Sequence, residues 1–292
     1  MITSTLALVR HAEANGYAVP AVNVFDGVSL RAVVAAATVR SSPLIVQVSV
    51  KTVHAVGLPL VTEMFRVVAS AAPVPLALHL DHCPDLAVAR AVVEAGWASV
   101  LLDMSAEPLD DAVRATADFV AFAHAAGVDV ESEVENILGV EDGVGSDEPR
   151  HGYSVETLAE VAASTGADLL APQLGTAHGV YTTPPELRPD RARALAKLSG
   201  RPVVLHGGTG LTDGDFRTFV DAGVSKINIS TAVKVAYLGT LRSELGGDGR
   251  LPDPLWLLRA AARAVEGEIG RHIEVFGSQG QAGAASGFEV VR

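Results

Sequence analysis

Val74-Pro75-Leu76-Ala77-Leu78-His79-Leu80-Asp81-His82 reads as a short buried strand that ends on a carboxylate and an imidazole. Two other stretches end in a similar way. Asp168-Leu169-Leu170-Ala171 precedes His178, and Pro202-Val203-Val204-Leu205 precedes His206. If the three strands are neighbours in a parallel barrel, their histidines converge on one rim. That is the donor set of a catalytic zinc site, three protein ligands with one position left open. A lone histidine is more often a satisfied structural residue. Here the company adds weight, with Asp81 beside the first histidine and glycines beside the other two.

Outward from these stretches, short apolar runs alternate with segments of helical period. Strands are expected near 18–24, 43–49, 74–79, 98–102, 128–133, 168–173, 202–205 and 225–229. Helices are expected near 27–40, 57–71, 85–95, 109–126, 154–164, 189–198 and 212–222, with an extra one at about 4–14 and at least one more after 252. This alternation predicts an α/β fold, a (β/α)8 TIM barrel with an extra N-terminal helix and a C-terminal helical extension. Ser154 and Thr212 stand where helix N-caps are needed. Gly96, Gly127, Gly166 and Gly223 stand where left-handed C-caps are needed. No linker divides the chain, so residues 1–292 are expected to form one domain.

A single barrel of about 250 residues fits the 292-residue length. The 49% hydrophobic and 5% aromatic composition, rich in Val and Ala, suits parallel strands buried on both faces. A net charge of −12 argues against nucleic acid or anionic membrane as the main partner. It also requires that a phosphorylated substrate be held by local donors. Cys83 is the only cysteine, so no disulfide can form within the chain. The N-terminus lacks a signal-peptide pattern, and no run of about 18 apolar residues occurs. A cytoplasmic globular protein is expected.

Residues 135–153 break the rhythm with a long, acidic, glycine-rich loop, which on the carboxyl rim of a barrel is expected to act as a lid. Strand ends on that rim point at the active site. They carry Asn23, Ser49, Asp81 and His82, Asp103 and Ser105, Glu133, Gln173 to His178, His206 to Gly210, and Asn228 to Thr231.

Six stretches occur in order: Leu78-His79-Leu80-Asp81-His82-Cys83, Glu131-Ser132-Glu133, Gly139-Val140-Glu141-Asp142-Gly143, Gly175-Thr176-Ala177-His178-Gly179-Val180-Tyr181, Leu205-His206-Gly207-Gly208-Thr209-Gly210-Leu211 and Lys226-Ile227-Asn228-Ile229-Ser230-Thr231. Together they resemble the class II, zinc-dependent ketose-bisphosphate aldolases, over about residues 4–282. The resemblance implies that His82, His178 and His206 bind a catalytic Zn2+, a Lewis acid toward the ketone of dihydroxyacetone phosphate. Asp81 matches the group that exchanges a proton with the C4 oxygen, and Glu141 the group that moves a proton at the enediolate carbon. Gly179, Gly207, Gly208 and Thr209 match phosphate-binding positions, completed by Asn228, Ser230 and Thr231. Backbone amides and a helix beginning near Thr231 suit an anion there. A monovalent cation, Na+ or K+, accompanies that phosphate in the family. Asn23 and Ser49 match contacts to the other half of the substrate, and Asp103 and Glu133 match a second metal position or its polar equivalent.

His79 is expected to be structural, pointing the other way on its strand. His11, His54, His124, His151 and His272 have no partners evident in the sequence. Lys51, Lys197, Lys226 and Lys234 are not needed as Schiff bases. The chain departs from the family at Glu135, where a glycine is usual; the change stiffens the base of the lid and adds a charge. It departs again at Glu266, where members that cleave bisphosphates place an arginine for the distal phosphate. Arg263 and Arg259 lie one and two turns earlier and reach in if the helix is shifted. The expected activity is reversible retro-aldol cleavage of a ketose phosphate to dihydroxyacetone phosphate and an aldehyde, with fructose 1,6-bisphosphate as default. Tagatose bisphosphate or a ketose phosphate with a different aldehyde half is the alternative, and a non-catalytic sugar-phosphate-binding protein is the alternative of another class. A homodimer or homotetramer is expected.

Overall fold

The computed structural model describes residues 1–141, 144–146, 151–179, 185–245 and 252–283; the side chains of 140, 141 and 144–146 lie outside that description. In chain order the elements are α1 (Thr5–Asn15), β1 (Val19–Asn23), α2 (Gly27–Val39), β2 (Leu44–Ser49), α3 (Val50–Val56), α4 (Leu58–Ala71), β3 (Leu76–Cys83), α5 (Leu86–Glu94), β4 (Ser99–Asp103), α6 (Leu109–Ala125) and β5 (Asp129–Glu133). There follow β6 (Gly139–Glu141), β7 (Val144–Ser146), α7 (Val155–Thr165), β8 (Leu169–Leu170), α8 (Pro189–Ser199), β9 (Val203–Leu205), α9 (Asp213–Asp221), β10 (Val224–Ile229), α10 (Thr231–Leu245) and α11 (Pro254–Val275).

Eight parallel strands close in the order β1-β10-β9-β8-β5-β4-β3-β2, so the (β/α)8 barrel expected from the alternation is the fold. The antiparallel pair β6–β7, inside the long loop after β5, has no counterpart in the sequence reading. β8 is shorter than expected, and Pro172 just beyond it has no N–H with which to extend a ladder. The helix expected at 57–71 is preceded by α3, capped by Ser49; the two meet at Gly57, whose φ of 95° lets the chain turn through 99° between them. Gly96, Gly127, Gly166 and Gly223 all have positive φ, as the C-cap reading requires. No single described helix is long and apolar enough to cross a membrane.

Two cores follow from the strand period. Residues facing outward pack under the helices, for example Leu76, Leu78 and Leu80 of β3. Those facing inward, including Val19, Ala21, Ile45, Ala77, Leu169, Ala171 and Val204, form a second cluster with Leu8, Val9 and Ala12 of α1. The extra N-terminal helix therefore plugs the amino-terminal end of the barrel. Ser4 caps it and donates to Asp129 at 2.7 Å, which ties the plug to β5. The carboxyl-terminal end is left for polar groups.

Candidate active site

Adjacent residues on a regular strand face opposite ways, yet Asp81 and His82 both reach the site. A bulge on β3 is the reason. Between Leu80 and Cys83 the strand spends three steps against two on β4, from Val100 to Leu102. His82 absorbs the extra residue at φ 39°, a left-handed conformation that costs a non-glycine residue about 1–3 kcal/mol. His79 stands two residues before Asp81 in regular register and so shares its face, and the expectation that it points the other way is corrected. His79 faces the barrel interior, where its Nδ1 pairs with Ser99 Oγ at 2.7 Å. Ser99 Oγ in turn meets Thr5 Oγ1 of α1 at 2.5 Å. Both contacts tie the ring to β4 and α1 below the rim.

The rings of His82, His178 and His206 come together, each offering one nitrogen within 4.8 Å of the others. Two of the three are oriented by carboxylates. Asp103 Oδ2 lies 3.0 Å from His82 Nδ1, so the Nε2 of that ring is the one turned inward. Glu131 Oε1 lies 2.8 Å from His206 Nε2, leaving its Nδ1 turned inward. The two inward nitrogens are 3.1 Å apart. Tetrahedral Zn2+ with Zn–N of 2.0–2.1 Å needs about 3.3 Å between ligands, so the spacing fits. Carboxylate-held histidines are also the usual support for a bound metal.

Charge points the same way. Asp81, Asp103, Glu131 and Glu133 are all buried, against the single buried ammonium of Lys226. Burial, then the positive charge on His82, holds His178 and His206 well below the ordinary histidine range. For His82 burial also favours the neutral ring, but Asp81, Glu133 and the bond to Asp103 outweigh it and raise the ring well above that range. Burial first, then repulsion from Asp103, pushes Glu133 well above the usual carboxylate range. The cluster thus sheds surplus negative charge by holding protons, a task that a dication would take over. Glu133 Oε2 makes no hydrogen bond and lies 3.6 Å from His82 Nδ1 and 3.4 Å from His206 Nδ1. His82, Asp103 and Glu133 form a second group with donor atoms close enough to share an ion.

Asp81 is held by two amides. Asn23 Nδ2 donates to its Oδ2 at 2.7 Å, and Asn228 Nδ2 to its Oδ1 at 3.4 Å. Asn23 is fixed by Gln47 Nε2, which donates to its Oδ1 at 2.9 Å. Asn228 Oδ1 accepts from Lys226 Nζ at 2.8 Å. With its oxygen and one amide hydrogen committed, Asn228, expected in the phosphate cradle, has one N–H left for a substrate.

The rest of the expected cradle lies where β8 and β9 end and α10 begins. Ser230 Oγ is buried without a hydrogen-bond partner directly before the α10 N-terminus at Thr231, which favours an anionic acceptor. Gly207, at φ 67°, abuts the neighbouring segment so closely that a Cβ would stand 2.4 Å from the Ala177 carbonyl oxygen. Its missing side chain thus lets the His206 and His178 segments meet. Gly179, with φ 84°, has open space on that side. Gly208 packs on Phe216, and Thr209 follows on the same loop. Ser49 caps α3 through Thr52 N at 3.3 Å. The side chain of Glu141, and residues 142–143 and 147–150 of the expected lid, lie outside the described residues. The start of that loop is placed: Leu138 O accepts from His178 N at 2.7 Å.

The class II fructose-bisphosphate aldolase family model matches residues 3–281. The chain belongs to that family. This makes it a metal-dependent aldolase, an aldehyde-lyase. It is 34% identical over 284 residues to the D-tagatose-1,6-bisphosphate aldolase subunit GatY of Klebsiella oxytoca, covering 96% of this chain and 99% of the relative. Among solved structures, a candidate fructose-1,6-bisphosphate aldolase from Coccidioides immitis superposes with a TM-score of 0.89 at 27% identity, covering 96% of this chain and 98% of that one. The YdjI aldolase of Escherichia coli K12 does so with 0.86 at 28%, covering 97% and 100%.

The two departures from this family look different in three dimensions. Glu135 is buried: its Oε1 accepts from Tyr153 N at 2.7 Å and from Arg191 Nη2 at 2.6 Å, and its Oε2 from Gln173 N at 2.9 Å. The added charge is neutralised on the spot and pins both ends of the long loop. Glu266 lines a groove on the outside of the barrel between α2 and α11, together with Arg31 and Arg259. Beyond Asn23 a different cleft opens, of about 360 Å3, lined by Lys51, Thr52 and Lys234. Gln47, Glu131 and Lys226 were missed by the sequence reading. Each stands two residues before a rim residue on its strand, facing the same way, and that spacing was the available signal.

Proposed function

We propose that this aldolase is zinc-dependent and cleaves a ketose 1,6-bisphosphate reversibly into dihydroxyacetone phosphate and a phosphorylated aldehyde, with fructose 1,6-bisphosphate as the default substrate. The observation that carries the reading is the cluster of His82, His178 and His206, with a carboxylate fixing the outer nitrogen of two of the three. Those histidines would hold the Zn2+. When bound, the metal supplies Lewis acidity that polarises the substrate ketone. Asp81, aimed by Asn23 and Asn228, accepts the proton of the C4 hydroxyl as the C3–C4 bond breaks. Glu141 returns a proton to C3 of the dihydroxyacetone-phosphate half. Gly179, Gly207, Gly208, Thr209, Ser230 and Thr231 hold the phosphate of that half.

The cleft beyond Asn23 supports a phosphate on the other half as well, since Lys51 and Lys234 line it and Glu266 does not. Tagatose 1,6-bisphosphate is the second reading, favoured by the 34% identity to a tagatose-bisphosphate aldolase subunit. The two sugars differ at C4, the carbon whose hydroxyl Asp81 serves. A coupled assay for dihydroxyacetone phosphate over ketose mono- and bisphosphates tests both. Cleavage should be fastest with a bisphosphate, stop with a chelator and return with Zn2+ or Co2+. Absence of dihydroxyacetone phosphate from every ketose phosphate with metal added would overturn the proposal.

A further inference from the structure

Lys226 of β10 is fully buried inside the barrel, and the reaction as derived above gives it nothing to do. An ammonium in such a place is costly unless it is paired and hydrogen-bonded. Both conditions hold: Nζ donates to Glu131 Oε2 and to Asn228 Oδ1, each at 2.8 Å. Neither partner is an end point. Glu131 uses its other oxygen on His206 Nε2 at 2.8 Å. Asn228 uses its other end on Asp81. One lysine is therefore the branch point of two arms, one ending at a metal-site histidine and the other at the proton carrier.

The donor and acceptor inventory makes the branch directional. Lysine can only donate and a carboxylate can only accept, whereas an amide can do either by flipping. With Lys226 below and Asp81 above, Asn228 has one workable orientation, oxygen toward the lysine and N–H2 toward Asp81. Glu131 is fixed likewise, one oxygen to the ammonium and one to the imidazole, so His206 carries its proton on Nε2 and turns Nδ1 inward. His79 does not substitute as a cation. Its Nε2 is 3.9 Å from Glu131 Oε2, and burial, then the charge of Lys226, holds the ring well below the ordinary histidine range.

We propose that Lys226 is a positioning residue that sets the metal-binding face of His206 and the aim of Asp81 together. The inference rests on the roles given to His206 and Asp81 under the proposed function. Remove the ammonium, and Glu131 loses its cationic partner while Asn228 loses the reason to present its amide hydrogens to Asp81.

Two variants test this. Lys226→Met keeps the unbranched stem and drops the charged end, and Glu131→Gln/Lys226→Met removes both charges so that neither is left unpaired in the interior. Three readouts are taken: fold by circular dichroism, Co2+ affinity by chelator competition with the visible spectrum of the bound ion, and kcat and KM at saturating metal. Both variants should fold and bind Co2+ about 10- to 100-fold more weakly, the usual effect of losing an outer support of a metal ligand. The Co2+ spectrum should change, and kcat should fall more than KM changes. A lysine that only stabilises the barrel would lower thermal stability and leave metal affinity, spectrum and kcat unmoved. That outcome in either folded variant overturns the proposal. If the wild-type protein itself neither takes up Co2+ nor cleaves a ketose phosphate, the reading of the site fails first and takes this role with it.

Discussion

The protons of the metal cluster are as informative as its nitrogens. His82 is held charged by Asp81, Glu133 and Asp103 against its own burial, while His178 and His206 are kept neutral by burial first. A protonated His82 donates Nδ1–H to Asp103 and Nε2–H to His206 Nδ1, which accounts for the 3.0 Å and 3.1 Å contacts together. A metal ion must displace the proton on Nε2. Uptake of Zn2+ by the metal-free protein near neutral pH should therefore release about one to two protons, from His82 and from Glu133. The sign follows from the raised His82 value. Below it, metal and proton compete, so affinity falls as pH falls; above it, the dependence flattens. Titration of metal into weakly buffered protein, followed by a pH indicator, measures the release. Uptake with no proton release would show that His82 is already neutral and that the charge account is wrong.

At the scale of the elements, a barrel strand has a structural end and a chemical end. α1 closes the first with Leu8, Val9 and Ala12, fully buried against the lower interior layer and far along the strands from the histidines. Leu8→Ala should destabilise the fold by about 2–5 kcal/mol, as large-to-small core changes do, and leave kcat at saturating substrate near wild type. Urea unfolding beside steady-state kinetics checks both halves, and a matching loss of kcat in a folded variant would refute the separation. The strands also show what a sequence can disclose. Periods of two and 3.6 make the barrel and most element positions readable, and the rim histidines follow because each comes after an apolar run. The bulge on β3 was not readable, since one extra residue leaves no mark in composition. The same bulge puts His82, three residues on from His79, at the site together with Asp81, so position along the strand does not tell which face His79 takes. The layer of Gln47, Glu131 and Lys226 below the rim was in principle legible, as polar residues at inward positions of apolar strands. Its role is not legible there, because a buried polar side chain acts through partners that only the fold brings to it. The β6–β7 pair falls in a glycine-rich loop that carries no strand period.

For the whole molecule, the proposed bisphosphate substrate requires a chain of net charge −12 to hold two phosphates by local donors. One phosphate position can rely on backbone amides and the α10 N-terminus. The place proposed for the other is beyond Asn23, in the cleft that Lys51 and Lys234 line. The resemblance puts Glu266 where an arginine for the distal phosphate is usual, and a carboxylate there would repel that phosphate. In the folded chain Glu266 lines the outer α2–α11 groove with Arg31 and Arg259 instead. Two opposite expectations follow. Lys51→Ala and Lys234→Ala should each lower kcat/KM for a ketose bisphosphate, mainly through KM. Loss of one hydrogen bond to a charged group, about 1.5–3 kcal/mol, corresponds to roughly ten- to a hundredfold. The same variants should affect a ketose 1-phosphate far less, because its distal half carries no anion. Glu266→Arg should leave kcat/KM for both substrates unchanged, since the new cation would sit in the outer groove. Parallel kinetics on the two substrates with the three variants decide the matter. If Glu266→Arg improves bisphosphate cleavage while the lysine variants do nothing, the distal phosphate is held by α11, with Glu266 brought into the cleft of a second copy of the chain.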